Sequence, residues 1–200
     1  MTVGIRSFIV RCLDDKSKRY RKETIMPATQ ADLFAFFDKL GIIHNTVEHP
    51  PLFTVEEGRN WRDKIPGLHC KNLFMKDKKD KLWLIVMPGD KRAHIAGLGR
   101  AIGSARLSFG KPDLLLETLG ITPGSVTPFA LMNDTQRRVT VVLDNDMMAA
   151  PLVNFHPLRN DASTTLSSSD LLRFIKALSY DPLIVNCGEW VEDTNSAPAT

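Results

Sequence analysis

Three short segments of this 200-residue chain contain residues whose types could form one chemical site. They are 69–77, 124–129 and 153–158. The first places Lys71 at the head of an apolar strand. The second is a glycine-to-proline loop, and the third sets His156 among apolar residues. An ammonium group binds anions, clustered backbone N–H groups stabilise a developing oxyanion, and an imidazole titrates near neutral pH. We expect the three segments to converge on one small pocket that water can enter.

Lys71 is notable for its neighbours. Alternation along a strand at 70–75 places it on the same face as Leu73 and Met75. A lysine on such a face must meet an anion or extend along the apolar surface to solvent. The strand pattern alone leaves both interpretations open.

The loop 122–129 contains two prolines that restrict the backbone, Pro123 and Pro128, and between them Gly124, which tolerates positive φ. A rigid turn of this kind can hold successive N–H groups towards a cavity. It can equally be a plain connection between a helix and a strand, since Pro-Gly is frequent in turns.

His156 follows an apolar stretch, where a histidine is either a hydrogen-bonded core residue or a titratable group of a site. His49 and His69 are further pocket candidates. None of the five histidines has a second histidine or a cysteine at metal-ligand spacing, so we expect no metal. No GxSxG serine motif is present, and Cys70 fits a buried thiol better than a nucleophile.

Composition limits the class of protein. The chain is 43% hydrophobic and 24% charged, which fits one globular domain. The net charge of +3 comes from seven Lys and Arg residues within positions 1–22, so it is no argument for nucleic-acid binding by the rest. Three widely spaced cysteines predict no disulfide framework, and no apolar run is long enough for a transmembrane helix or a signal peptide. We therefore expect a cytoplasmic protein.

The order of elements predicts an α+β fold, a single domain around one mixed β-sheet. Thr29 is a helix cap, strands at 70–75 and 82–87 form a hairpin, a strand is expected at 129–132, and Ser169 caps the last helix. We divide the chain into a basic, poorly ordered N-terminal extension at 1–25, a domain at 26–187 and a C-terminal tail at 188–200.

Several longer motifs are shared with a known family, in order along the chain: HPPLFTVEE, CKNLFMKDKK, LWLIVMPGDKR, the stretch ending in GITPGSVTPFAL, and NFHPLRNDASTTLSSSDLLRFI. With them the chain resembles the YbaK/ProX family of trans-editing aminoacyl-tRNA deacylases, most closely its stand-alone ProX (PrdX) branch. That branch is similar to the editing domain inserted in bacterial prolyl-tRNA synthetases. The resemblance implies a partly barrel-like mixed sheet with flanking helices.

The resemblance also implies an activity, the hydrolysis of the ester between a wrong amino acid and tRNA, in this branch alanine on tRNA for proline. The implied catalytic residues are Lys71, Gly124 and His156. The implied substrate-binding residues are Asn72, Ser125, Val126, Thr127, Pro128, Phe129 and Phe53. Lys71 would hold the phosphate and 3′ end of the tRNA, and the amides of the GxxxP loop would orient the ester and a water molecule.

The implied partner is the acceptor end of a mischarged tRNA, with prolyl-tRNA synthetase or an elongation factor as further partners and no cofactor. A pocket sized for a methyl group would exclude the proline ring, with Phe53, Phe74, Val126 and Phe129 as wall candidates. Backbone phosphates would meet surface cations, for which the candidates are Lys76, Lys78, Lys79, Lys91 and Arg92. Two alternatives remain, a deacylase for Cys-tRNA(Pro) or Ser-tRNA and a non-catalytic module that binds tRNA or a synthetase.

Overall fold

A large mixed sheet with helices on both faces is the framework of the computed structural model, which describes residues 26–51, 61 and 64–190. The strands are β1 (His44–Glu48), β2 (Leu68–Asp77), β3 (Leu82–Pro88), β4 (Lys91–Ala93), β5 (Leu107–Phe109), β6 (Val139–Asp144), β7 (Leu152–Phe155), β8 (Ala162–Ser167), β9 (Leu183–Val185) and β10 (Gly188–Trp190). The expected extension at 1–25, Phe53 and residues 191–200 lie outside the described residues.

The strand order is β1-β8-β7-β2-β3-β6-β9, with β5 paired to β2 and a separate β4–β10 pair. β2 runs antiparallel to β3 and parallel to β7, and β3 runs parallel to β6. The expected α+β fold with one mixed sheet and flanking helices is confirmed.

The helices are α1 (Gln30–Leu40), α2 (Ile95–Ala101), α3 (Pro112–Leu119), α4 (Asn145–Ala149) and α5 (Ser168–Ala177). Thr29 caps α1 in a reciprocal capping box with Asp32, as expected of a threonine before an apolar helical pattern. The predicted cap of the last helix is wrong by two residues, because the side chain of Ser167 accepts from the N–H of Asp170. None of the helices in the described ranges combines the length and apolar character that crossing a bilayer requires.

The two faces of the sheet bury different clusters of side chains. Phe74, Leu84 and Val86 point to a core that α1, α3 and α5 cover. Met75 and Ile85 point to a second cluster that contains Leu98 of α2. Neighbouring residues of β2 therefore lie on opposite faces, as alternation requires.

Asp77 closes the β2–β3 hairpin. Its carboxylate accepts hydrogen bonds from the N–H groups of Lys79 (2.8 Å), Lys81 (3.1 Å) and Ala105 (3.3 Å) and from the Trp83 ring (3.4 Å). Burial raises the pKa of this carboxyl, but the four hydrogen bonds outweigh burial and hold the pKa below its ordinary value. The ionised carboxylate therefore stabilises the hairpin.

Replacing Asp77 by alanine should lower the free energy of unfolding by about 2 kcal/mol, because buried donors lose their acceptor. Since the folded-state pKa is depressed, the wild-type contribution is present above about pH 4 and is lost as the pH falls further. Urea titrations of wild type, Asp77→Ala and the surface control Asp80→Asn at pH 7 and pH 3 measure this. An equal deficit for Asp77→Ala at both pH values would contradict it.

The strand predicted at 129–132 is instead a 3-10 helix, Pro128–Asn133. The Thr127 side chain accepts from the N–H of Phe129, and Pro128 supplies the restricted φ of a helix start. The Phe129 ring lies 5.2 Å from Phe37 and 5.4 Å from Phe174, centroid to centroid, in edge-on contacts. The aromatic core thus fixes the end of the glycine-to-proline loop.

The C-terminal boundary also differs from the expectation. Gly188–Trp190 form β10, which pairs antiparallel with Lys91–Ala93, although 188–200 was expected to be a tail. The strand has only three residues, too few for a recognisable alternation. The folded domain therefore continues to residue 190.

Candidate functional site

The middle strand β2 has a gap in its pairing. On one edge it pairs with β3 from Cys70 to Lys76. On the other edge it pairs with β7 only at Leu68–His69 and with β5 only from Met75 onwards. Within the described ranges, no strand covers that edge between residues 70 and 73. We call this opening the β2 gap, and it contains both Lys71 and Asn72.

Lys71 lies at the gap, half-buried. Its ammonium donates to the carbonyl of Gly89 at 3.1 Å and to the carbonyl of Lys91. Burial lowers the pKa of Lys71, and the negative charge of Asp90 opposes that shift. An ammonium has three N–H donors, so two carbonyls leave one for an anionic or ester oxygen.

Asn72 is the residue that meets the glycine-to-proline loop. Its Nδ2 donates to the carbonyl of Val126 at 2.9 Å. Its Oδ1 is buried and has no hydrogen-bond partner in the part of the chain that the structure describes. A buried acceptor left unpaired costs about 1–3 kcal/mol. The amide oxygen is therefore suited to receive a donor from a ligand or a water molecule.

The loop itself turns at Gly124, whose φ of 89° is in the left-handed region. An added Cβ there would meet nothing within 4 Å, so the backbone angle and not crowding selects glycine. The N–H of Ser125 donates to the carbonyl of Thr122 at 3.1 Å. The N–H groups of Gly124, Val126 and Thr127 donate to no acceptor among the described residues. Because Gly124 is exposed and Val126 is half-buried, their N–H groups can donate to water or to a ligand oxygen.

The residues after the turn are less accessible than expected. Thr127 and Phe129 have no exposed surface, and Pro128 is buried. Phe129 and Pro128 were expected to contact substrate, but their side chains pack in the core and anchor the loop. Gly124 is exposed and Val126 is half-buried, so these two form the reachable part of the loop.

His156 directly follows β7, and its Nδ1 lies 3.0 Å from the carbonyl of Ala162. Because a carbonyl only accepts, Nδ1 carries the proton and Nε2 of the neutral ring carries a lone pair. Burial lowers the pKa of His156, and the nearby His49 acts in the same direction. His156 is thus a neutral ring with an acceptor nitrogen.

His49 and Ser163 form a buried pair beside it. The rings of His49 and His156 are 6.1 Å apart, and His49 Nε2 lies 2.9 Å from Ser163 Oγ. His49 Nδ1 faces the carbonyl of Pro50 at 2.9 Å, so the Ser163 hydroxyl donates to Nε2. Ser163 was not among the sequence-based candidates, because β8 reads ASTTLS and carries no apolar pattern that marks its inner face.

Asn154 of β7 connects β8, which carries Ser163, with β2. Asn154 pairs in register with His69 and Thr165, and its Nδ2 donates to the carbonyl of Pro66 at 3.0 Å. Alternation places Lys71 on the face of β2 that His69 occupies and Asn72 on the other face.

The structure thus joins Asn72 to the loop by a hydrogen bond and Lys71 to the 89–91 turn. Within the described residues, no hydrogen bond joins Lys71 to the 124–128 loop. This differs from the expected single ring of groups, because adjacent side chains of a strand point apart. Both residues belong to the stretch of β2 that borders the gap.

Cys70 also lies at the gap. Desolvation raises the pKa of its thiol to about 12. A thiolate is the nucleophilic form of cysteine. At neutral pH the group is therefore a thiol, which argues against covalent catalysis by Cys70.

Comparison with known proteins adds a family match. Residues 49–174 match the model of the aminoacyl-tRNA editing domain, a range that contains β2, the loop and His156. The prolyl-tRNA editing protein ProX of Acetoanaerobium sticklandii is 36% identical over 153 residues, which cover 76% of this chain and 93% of that protein. The prolyl-tRNA synthetase associated domain-containing protein 1 of Mus musculus is 38% identical over 162 residues, covering 78% and 95%.

A solved structure has a similar fold. The crystal structure of a proposed trans-editing enzyme for prolyl tRNA synthetase superposes with a TM-score of 0.62 at 19% identity. The match covers 81% of this chain and 98% of that one. At this identity the likeness concerns the fold alone.

Proposed function

The chain belongs to the aminoacyl-tRNA editing domain family, and from this premise we propose that it hydrolyses alanine mischarged on tRNA for proline. It is a deacylase of the prolyl-tRNA editing kind, which the family match and the ProX relative both support. The structural observation that carries the proposal is the exposed Gly124 turn with unpaired N–H donors, held beside Asn72 at the β2 gap.

The acceptor end of the tRNA enters the β2 gap. Lys71 offers its remaining N–H to a phosphate or ribose oxygen of the terminal nucleotide, because its other donors are engaged by carbonyls. An ammonium held in this way is already oriented when the substrate arrives. Orientation before binding lowers the entropy that the reaction loses.

The ester lies at the loop. We assign the N–H groups of the two reachable loop residues, Gly124 and Val126, to the carbonyl oxygen, whose negative charge grows as water adds to the carbonyl carbon. The bond from that carbon to the ribose oxygen then breaks, and the ribose oxygen takes the proton that the attacking water releases. An aminoacyl ester is already activated, so oriented donors and a held water are sufficient without a side-chain nucleophile.

Asn72 and His156 supply acceptors. We assign the unpaired Oδ1 of Asn72 to the ammonium of the amino acid or to the attacking water, since both are donors. Nε2 of His156 is a second acceptor for water or for the ribose hydroxyl. The proposal gives His156 a smaller role than Lys71, because a carbonyl holds its ring in place and burial lowers its pKa despite the opposing charge of Asp161.

The proposed basis for selecting alanine over proline is that the pocket excludes the larger pyrrolidine ring of proline. Attraction alone separates amino acids that differ by a few methylenes by about 1–3 kcal/mol. A tight wall rejects the pyrrolidine by overlap. Val126 is half-buried beside Asn72 and is the wall residue that the described geometry favours.

A panel of mischarged tRNAs tests the function. Purified protein at catalytic concentration should release alanine from Ala-tRNA(Pro) and leave Pro-tRNA(Pro) intact. Release from Cys-tRNA(Pro) or Ser-tRNA instead would change the substrate within the same reaction. Retention of every ester, with tRNA bound in a filter assay, would indicate a non-catalytic module. Adding prolyl-tRNA synthetase or an elongation factor tests our proposal that these partners deliver the tRNA, which should then speed release.

Replacing His156 by alanine should lower kcat/KM by about threefold to fivefold. Since burial lowers its pKa, the wild-type ring stays neutral down to pH values below its ordinary value of about 6.5, and activity should fall only below that. The variant should lack this acid limb in a pH–rate profile from pH 5 to 8. An unchanged acid limb in the variant would remove His156 from the reaction.

A further inference from the structure

Lys91 is a lysine with almost no contact with solvent. Its exposed fraction is 1%, and its ammonium lies 2.9 Å from Asp144 and 2.8 Å from Asp146. Lys91 was expected to contact tRNA phosphates, and its burial excludes that role. A fully buried lysine requires a structural reason for its place.

Asp144 is the fixed partner of this pair. It has no exposed surface and accepts the N–H groups of Asp146 and Met147 at the start of α4. It also accepts the N–H of Cys187 at 2.8 Å, just before β10. Its position is therefore set by two elements besides Lys91.

The backbone of Lys91 leads to the site. Its carbonyl accepts a hydrogen bond from the ammonium of Lys71, beside the carbonyl of Gly89. The N–H of Gly89 in turn donates to the carbonyl of His69 at 2.8 Å. The 89–91 turn is thus attached to β2 at one end and to Asp144, through the Lys91 side chain, at the other.

We infer that Lys91 is a positioning residue for the deacylation: its ion pair with Asp144 fixes the carbonyl that holds the Lys71 ammonium in place. The inference rests on the proposed function for its kinetic consequence only. Lys91 touches no substrate and acts through Lys71. A mobile 89–91 turn would leave Lys71 present and charged but not held in place.

The Lys91 ammonium stays charged although it is buried. Burial alone would lower the pKa of Lys91, but hydrogen bonds to Asp146 and Asp144 outweigh burial and raise it. The Lys91 ammonium therefore remains charged over the physiological range of pH. Asp146 is 41% exposed, so the cluster has one rigid carboxylate and one that solvent reaches.

A double-mutant cycle tests the inference. Lys91→Met should lower kcat/KM about tenfold in the wild-type background and should have no further effect in a Lys71→Ala background, because its action passes through Lys71. The same fold-loss in both backgrounds would overturn it, since a general loss of structure adds to any other defect.

Tyr180→Phe is the matched control. The Tyr180 hydroxyl donates to Asp134 at 2.9 Å in a buried pair just before β6 begins, whereas Asp144 ends that strand. This variant should lose stability without losing kcat/KM. If it loses as much kcat/KM as Lys91→Met, stability and not positioning explains the result, and the inference fails.

A readout without tRNA separates the inference from the proposed function. The Lys71 ammonium should give a protected 1H–15N signal, identified by its absence in Lys71→Met. This signal should be lost in Lys91→Met and kept in Tyr180→Phe. If it persists in Lys91→Met, the inference is wrong even for an active enzyme. If it is lost and no tRNA is deacylated by wild type, only the proposed function fails.

Asp146→Asn replaces Lys91→Met if that protein does not fold. It removes the charge of the exposed carboxylate and keeps the Asp144 contact. We expect a loss of about threefold that also disappears in the Lys71→Ala background. A loss that persists there would count against the inference.

Discussion

Replacing Lys71 by alanine is expected to lower kcat/KM for mischarged tRNA at least tenfold while the circular dichroism spectrum stays unchanged. The ammonium is held by the carbonyls of Gly89 and Lys91 and has one donor left. A tenfold loss corresponds to about 1.4 kcal/mol. One hydrogen bond from a charged group to a phosphate or ester oxygen contributes that much. The fold should tolerate the change because the Lys71 side chain is only half-buried and its hydrogen bonds go to two backbone carbonyls.

Lys176→Ala is the control for the Lys71 experiment, since this lysine lies on an exposed turn of α5. Both variants lose one positive charge, so any effect of net charge on tRNA encounter is shared. Rates of deacylation under single-turnover conditions separate chemistry from binding. Wild-type rates in a folded Lys71→Ala protein would remove the residue from the site.

Asn72→Ala is expected to lower kcat/KM by tenfold or more for a different reason. Its Nδ2 holds the Val126 carbonyl at 2.9 Å, and its Oδ1 is the unpaired acceptor at the gap. Losing the first loosens the loop that carries the amide donors, and losing the second removes an acceptor for substrate or water. Because the two effects act on the same reacting ester, we expect them to appear in kcat as well as in KM.

Asn133→Ala is a matched control. Asn133 also bridges two segments, since its Nδ2 donates to the carbonyl of Leu119 and its Oδ1 accepts from the N–H of Ala28. It should lower the melting temperature but not kcat/KM at 25 °C. If Asn133→Ala reduces kcat/KM as strongly as Asn72→Ala, the loss reflects a general loss of packing and the role assigned to Asn72 is wrong.

Local patterns of the sequence predict part of this structure well. The hairpin of β2 and β3 follows from two apolar runs around a polar turn, and the start of α1 follows from Thr29. Both features depend on residues close together in the chain. The family resemblance identifies the reaction class through ordered motifs that no single residue would reveal.

Long-range packing accounts for the failures. Alternation separates Lys71 from Asn72, but it does not tell which face of β2 the 124–128 loop will pack on. Phe129 has the residue type of a strand and becomes part of a 3-10 helix, because three aromatic rings around it decide its place. The burial of Lys91 depends on Asp144, which lies 53 residues further along the chain.

The β2 gap has a consequence for association between molecules. Unpaired strand edges invite another chain to add a strand, and a typical strand has about five to six residues. The gap spans only residues 70–73 and is bounded by β7 at one end and β5 at the other. A foreign β-strand of typical length is therefore too long for it. Among the described residues, the edge left unpaired at the centre of the sheet is therefore too short to template the addition of a typical strand from another molecule.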